Sequence, residues 1–266
     1  PHIDHGAVVF AGNDYHAIIK EAEREADVIL WDGGNNDMPF YRPDLMITVA
    51  DPHRPGNEER YYPGLANLLL AEVVVINKIE TATPEGIERV RRSIEKHNAS
   101  ALVIDAASPV SVERPELVHG KRVLVIEDGP TLTHGEMAYG AGYVAARKFG
   151  AAELVSPIPF LKGSLVTTME HYSHQQNVLP AMGYGDAQIA DLQATIDSAA
   201  KSGAVDSILI ATPIDLSRVL KLPANVNAVR VRYDLQEIGA PDLTSVLRKF
   251  HVEKFGEPAL TQAAGA

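Results

Sequence analysis

The sequence predicts a doubly wound α/β fold, a mostly parallel sheet flanked by helices. Three observations predict it. Short apolar runs recur at residues 7–10, 28–31, 45–49, 73–76, 102–104, 123–126, 153–155, 207–210 and 229–231. They are nearly continuous in hydrophobicity rather than alternating, the pattern of strands covered on both faces. Helical stretches with capping signals follow many of them, and strands alternating with helices imply a parallel sheet.

The helices can be justified in order. Asp14 caps a stretch over 15–25. Thr83-Pro84 opens one over 85–97, a capping hydroxyl followed by proline in the first turn. Thr133 or His134 precedes a helix over 135–149, with Gly150 as its stop. Asp186 opens a helix over 187–201, followed by Gly203. Asp242 or Thr244 opens one over 245–250. Residues 1–110 read as the part carrying an acidic strand end and a base-binding loop. Residues 121–250 read as a C-terminal α/β part, packed on the first or continuous with it, and 251–266 as a loose tail. Residues 111–121, charged and carrying Pro115 and Gly120, mark the expected boundary.

Composition narrows the function. The 266 residues suffice for one large core or two modest ones. Lys plus Arg number 24 against 35 Asp plus Glu, a net charge of −11 that argues against a nonspecific nucleic-acid or acidic-membrane surface. With no cysteine there is no disulfide and no thiolate metal site, which is compatible with a cytoplasmic location. No apolar stretch approaches the length of a membrane span. No nucleic-acid or membrane partner is expected, and a homo-oligomer is compatible with the sequence.

In a parallel sheet the loops after the strands emerge along one edge, where ligands bind. Here those loops carry polar groups that plain turns do not require. Trp31-Asp32-Gly33-Gly34 ends one apolar run. Asp32 reads as a carboxylate for Mg²⁺ beside glycine backbone, or as a turn aspartate bonding its own backbone. Asn77-Lys78-Ile79-Glu80 ends another run, as an Asn-Lys-x-Asp loop does where it holds a guanine base. Its fourth residue is Glu rather than Asp, and the longer side chain favours ATP, with GTP as the alternative. Ser108 follows the next strand and can add a backbone contact to the base.

Asp51-Pro52-His53-Arg54-Pro55-Gly56 places a titratable imidazole and a guanidinium in a proline-stiffened loop. Arg54 and Arg42 suit phosphate or carboxylate recognition. Asp128, Thr131, Thr133 and His134 line a glycine-rich strand-to-helix loop read as a second anion site. No Gly-x-x-x-x-Gly-Lys-Ser/Thr phosphate loop occurs. The chain opens on Pro1 and reaches its first acidic strand end by Asp32, so a longer protein with an upstream P-loop region is expected.

Taken together with Tyr62-Pro63-Gly64, Glu127-Asp128-Gly129-Pro130-Thr131-Leu132-Thr133-His134-Gly135 and Thr212-Pro213-Ile214-Asp215-Leu216, these motifs resemble the cyclic 2,3-diphosphoglycerate synthetase family, in the same order up to about Phe250. The resemblance implies a P-loop NTPase-like fold. It implies ATP-dependent phosphoryl transfer onto a small phosphorylated metabolite, closing a cyclic phosphoanhydride. A regulatory or metallochaperone-type GTPase is the alternative. By this resemblance Asp32, His53, Arg54 and His134 are catalytic and Asp32 holds Mg²⁺. Asn77, Lys78, Glu80 and Ser108 bind nucleotide. Arg42, Asp128, Thr131 and Thr133 bind substrate.

Overall fold

A computed structural model describes residues 2, 6–33, 37–60, 62–133, 139–172 and 177–256. The chain divides into two compact units, one built from residues 6–109 and 235–266 and the other from 1–5 and 110–234.

The first unit holds a four-stranded sheet. Its order is β1 (Ile47–Ala50), β2 (Val73–Ile76), β3 (Leu102–Ala107), β10 (Gln236–Glu237). The first three strands are parallel, with Ile47 opposite Val73 and Val73 opposite Leu102, while β10 runs antiparallel to β3. Between β1 and β2 the chain passes through a single turn, α2 (Asn57–Arg60), and then α3 (Gly64–Leu70). Each β2 side chain is buried, and alternate residues serve opposite faces. Val74 and Ile76 pack with Leu68 of α3 and with Val90 and Ile94 of α4 (Pro84–Asn98). Val73 and Val75 pack with Leu243 and Val246 of α9 (Leu243–Phe255). This double covering is why β2 reads as an unbroken apolar run.

Helix ends follow the capping signals. Thr83 accepts a hydrogen bond from the Gly86 N–H at 3.1 Å, with Pro84 in the first turn. Asp242 accepts from the Ser245 N–H at 2.6 Å. Asp14 accepts from the Ala17 N–H at the start of α1 (Tyr15–Ala22). Buried Asn98 donates to the carbonyls of Leu68 and Ala71, closing the C-terminal end of α3.

The second unit holds a six-stranded sheet of order β4 (Val110–Val112), β9 (Asn227–Tyr233), β8 (Ser207–Ala211), β5 (Arg122–Asp128), β6 (Glu153–Leu154). β7 (Leu179–Ala181) also pairs with β5, further along than β6. All these pairings are parallel except β4 with β9. Leu124 and Ile126 of β5 pack with Leu165 of α7 (Ser164–His171) and Leu192 and Ile196 of α8 (Asp186–Lys201). Val123 and Val125 pack on the other face with Leu132 of α5 (Gly129–Thr133) and Ala145 and Ala146 of α6 (Ala141–Lys148). At the amino ends of β5 and β8, Arg122 grips Asp206 through Nη2 at 2.8 Å and Nε at 3.1 Å. Those bonds hold the Asp206 carboxyl down to about 2.

The α/β class with mostly parallel sheets flanked by helices is therefore observed, as two sheets rather than one. Three further differences matter. Residues 7–10 and 28–31 are not strands. A lone run gains little from extension without a partner, and most apolar side chains there are exposed, Leu30 at 86%. Trp31 instead joins an aromatic group with Tyr15, Phe40 and Tyr41. Residues 236–255 belong with the first sheet, because β10 pairs β3 and α9 covers that sheet. The last helix also continues past Phe250 to Phe255. Among the described residues no helix is long and apolar enough to cross a membrane.

Candidate functional site

Two sheet edges carry candidate chemistry. In the first unit, the loops after β1 and β2 meet. Asp51 follows β1, and its carboxylate accepts from Arg54 Nη2 at 2.9 Å and lies 3.4 Å from Lys78 Nζ, which follows β2. The His53 backbone N–H donates to the same carboxylate at 3.0 Å. Burial alone would push the Asp51 carboxyl up. Lys78, the His53 N–H and Arg54 together hold it below its ordinary value. His53 Nε2 lies 2.9 Å from Thr81 Oγ1, tying this loop to the one after β2.

The turn after β2 is unusual. Lys78 has φ of 60°, the left-handed region that side chains other than glycine seldom adopt. Asn77 Oδ1 accepts the Lys78 N–H at 2.8 Å and steadies the turn. Glu80 Oε1 accepts the Ser108 N–H at 3.0 Å, linking this loop to the end of β3. Glu80 and Ser108 thus meet each other. Glu80 as placed is a brace between two strand-end loops, and reading a base edge would require it to leave Ser108.

Asp32 is exposed and follows an unpaired segment. Arg42 is also exposed. Of the residues singled out from sequence in this unit, the structure gathers His53, Arg54 and Lys78 around Asp51, and Asn77, Glu80 and Ser108 beside them.

In the second unit the site lies at the carboxyl end of β5. Glu127 is 2% exposed. Its Oε1 accepts from the Tyr143 N–H at 2.9 Å and the Gly140 N–H at 3.1 Å, at the start of α6. Burial dominates over these bonds and raises the carboxyl to about 7, with the charge of Asp128 acting in the same direction. Gly140 and Gly142 permit this approach. A Cβ on Gly140 would stand 2.6 Å from Glu127 Oε2, and one on Gly142 would stand 2.6 Å from Val125 Cγ1.

Around this end stand Asp128, Tyr184, Arg230 and Tyr233. Burial raises both tyrosine hydroxyls, Asp128 raises them further and Arg230 opposes it. Arg230 Nη1 donates to the Ile214 carbonyl at 2.8 Å, and Thr212 Oγ1 donates to the same carbonyl at 2.6 Å. Thr133 Oγ1 donates to Gly129 O at 3.1 Å, a contact within α5. The side chain of Thr131, and His134 as a whole, lie outside the described residues.

Glu127, Tyr184, Arg230 and Tyr233 were not singled out from sequence. Glu127 had one legible signal, a carboxylate directly continuing the apolar run 123–126, followed later by Gly140-Ala141-Gly142. The two tyrosines and Arg230 gave none, because only strand order brings them to β5.

No protein-family model matches the chain. It is 57% identical over 250 residues to the arginine synthetase ArcE of Thermococcus kodakarensis, a match covering 94% of this chain and 54% of that protein. The chain thus spans about half the length of the curated relative it matches.

Proposed function

We propose that this chain is part of an ATP-dependent ligase and receives the nucleotide phosphates at the β1–β2 edge. The observation that carries this reading is the meeting of the Arg54 and Lys78 side chains and the His53 backbone N–H around Asp51 at adjacent parallel strand ends. Two cations at one strand edge suit a polyphosphate, which would compete with Asp51 for them. In-line phosphoryl transfer needs such positioning and charge neutralisation more than covalent chemistry. Likeness to a protein named as a synthetase supports the ligase class.

Mg²⁺ is part of this reading. A Mg²⁺ ion that arrives on nucleotide phosphates needs one or two protein carboxylates rather than a cage. Among the described residues no group of three or more His, Cys, Asp and Glu side chains that could hold a metal ion occurs. Asp32, exposed and near glycine backbone, would hold it. When bound, the ion neutralises phosphate charge.

Closure of a cyclic phosphoanhydride in 2,3-bisphosphoglycerate is a second reading, favoured by the ordered motifs from Asp32 to Leu216. It would place the acidic substrate against Arg42 and Arg54. Calorimetric titration tests the proposal. Mg·ATP should bind more tightly than Mg·GTP, because Glu80 is engaged by Ser108. Arg54→Ala should remove a charge-assisted contact worth about 1.5–3 kcal/mol and weaken ATP roughly tenfold or more. A clear GTP preference would favour a switch GTPase, and ATP affinity unchanged in Arg54→Ala would remove the proposed phosphate site.

A further inference from the structure

The β1–β2 edge carries its own anion. Asp51 follows β1 with its side chain 19% exposed. It accepts from Arg54 Nη2 at 2.9 Å, the His53 N–H at 3.0 Å and Lys78 Nζ at 3.4 Å. Two of these donors are the cations that a phosphate would use. Burial works against the charge on Asp51, yet Lys78, the His53 N–H and Arg54 hold its carboxyl below the ordinary value, so it is ionised at neutral pH.

The hold of Asp51 on the two cations is loose beside another pair in the same protein. Arg122 meets Asp206 through both Nη2 and Nε, at 2.8 and 3.1 Å. Such a two-point grip is the strong form of an arginine–carboxylate pair. Arg54 reaches Asp51 through Nη2 alone, and its Nε is buried with no hydrogen-bond partner among the described residues. Buried N–H groups without acceptors are uncommon, and a ligand oxygen is one way to satisfy this one. Lys78 stands at 3.4 Å, beyond the usual length of a charge-assisted contact. Its side chain is 42% exposed and that of Arg54 32%, so a ligand can reach both. The backbone carrying them is fixed. Asn77 Oδ1 accepts the Lys78 N–H, the Ile79 N–H donates to the Ala106 carbonyl, and the Arg54 N–H donates to the Asp51 carbonyl. A Cβ on Gly86 would collide with the Pro52 carbonyl, so α4 packs directly against this loop. An anion can therefore take Arg54 and Lys78 by side-chain movement alone.

We infer that Asp51 is a resident competitor for the phosphate site: it holds Arg54 and Lys78 until an anion that engages both cations at once displaces it. Asp51 is then the residue that sets which anions bind. A single phosphate that meets one cation leaves the other on Asp51 and gains little. A polyphosphate spans two cations on loops after different strands, and it brings more charge and more acceptor oxygens than one carboxylate. That the polyphosphate belongs to a nucleotide rests on the ligase reading, while the competition rests on these contacts.

Calorimetric titration of the whole chain with sodium tripolyphosphate and with orthophosphate tests the inference. Wild-type protein should bind tripolyphosphate and show no orthophosphate binding at millimolar concentration. Asp51→Asn keeps an acceptor for the His53 N–H and removes the competing charge. It should bind tripolyphosphate roughly tenfold or more tightly than wild type, and orthophosphate measurably. Asp51→Ser also keeps a short acceptor and should do the same, which keeps the test decisive if the amide disturbs the turn. In the unaltered protein with isotope-labelled aspartate, nuclear magnetic resonance should show the Asp51 carboxyl titrating at higher pH with tripolyphosphate bound, because its cations are then taken. Weaker tripolyphosphate binding in both variants would overturn the inference, since Asp51 would then be holding the cations in place for the ligand. Unchanged affinity in both variants, an Asp51 titration unmoved by tripolyphosphate, or no tripolyphosphate binding to any of the three proteins would overturn it equally. Mg·ATP, titrated separately, distinguishes the two failures. Mg·ATP bound at residues 51–56 and 77–81 with affinity unchanged in both variants defeats this inference alone. Tripolyphosphate tightened by both substitutions, with no binding of Mg·ATP, defeats the nucleotide reading alone.

Discussion

Replacing Glu127 by Gln should stabilise the unit built on β5 at pH 8 and leave it nearly unchanged at pH 4. The carboxyl is 2% exposed and is held at about 7 rather than its ordinary 4.5. At about 1.4 kcal/mol per pH unit, that difference favours the protonated form in the folded state by roughly 3 kcal/mol. A raised acid contributes this stability in full below pH 4.5 and loses it as pH rises through about 7. Wild-type protein should therefore weaken between these limits. The substituted amide carries no charge to desolvate, and its oxygen can still accept from the Gly140 and Tyr143 N–H groups. Its advantage at pH 8 should approach roughly 3 kcal/mol, shrinking to zero by pH 4. Hydrogen exchange of the β5 and β8 amides, with urea unfolding followed by far-ultraviolet circular dichroism, would measure it. Tryptophan fluorescence would not, because Trp31 lies in the other unit. A Glu127→Gln variant equally destabilised at pH 4 and pH 8 would refute the reasoning, as would one whose pH profile matches wild type.

Other perturbations follow from the same contacts. Gly142→Ala would set a Cβ 2.6 Å from Val125 Cγ1 and 3.0 Å from Ala211 Cβ, so chemical denaturation should show a loss of about 1–3 kcal/mol. Asn98→Ala leaves the Leu68 and Ala71 carbonyls without their buried donor and should cost about 1–3 kcal/mol in the same assay. Asp206 is held down to about 2, so its pairing with Arg122 is complete above the ordinary carboxylate range and lost as pH falls toward 2. Asp206→Asn should flatten the acid limb of the stability profile between about pH 4 and 2 while leaving its neutral and alkaline parts parallel to wild type.

Much of the fold was legible because the central strands of both sheets are buried on two faces. The runs at β2, β5 and β8 stand out for that reason, and Thr83, Asp14 and Asp242 cap helices where capping chemistry places them. β4, β7 and β10 were not legible. They are three residues long or shorter, and their pairing with β9, β5 and β3 is decided by tertiary context. Residues 28–31 carry a strand's composition, but composition does not supply a partner. The same limit governs the sites. Local motifs flagged Asn77, Lys78, His53 and Arg54, and the structure brings their loops together. Tyr184, Arg230 and Tyr233 sit far apart in sequence from Glu127, and strand order alone assembles them there.

The most direct test of the ligase account is a hydrogen-exchange footprint of Mg·ATP on this chain. The account predicts protection over residues 51–56 and 77–81, stronger with ATP than with GTP and lost in Arg54→Ala. Protection confined to other segments, or no protection at saturating nucleotide, would contradict it.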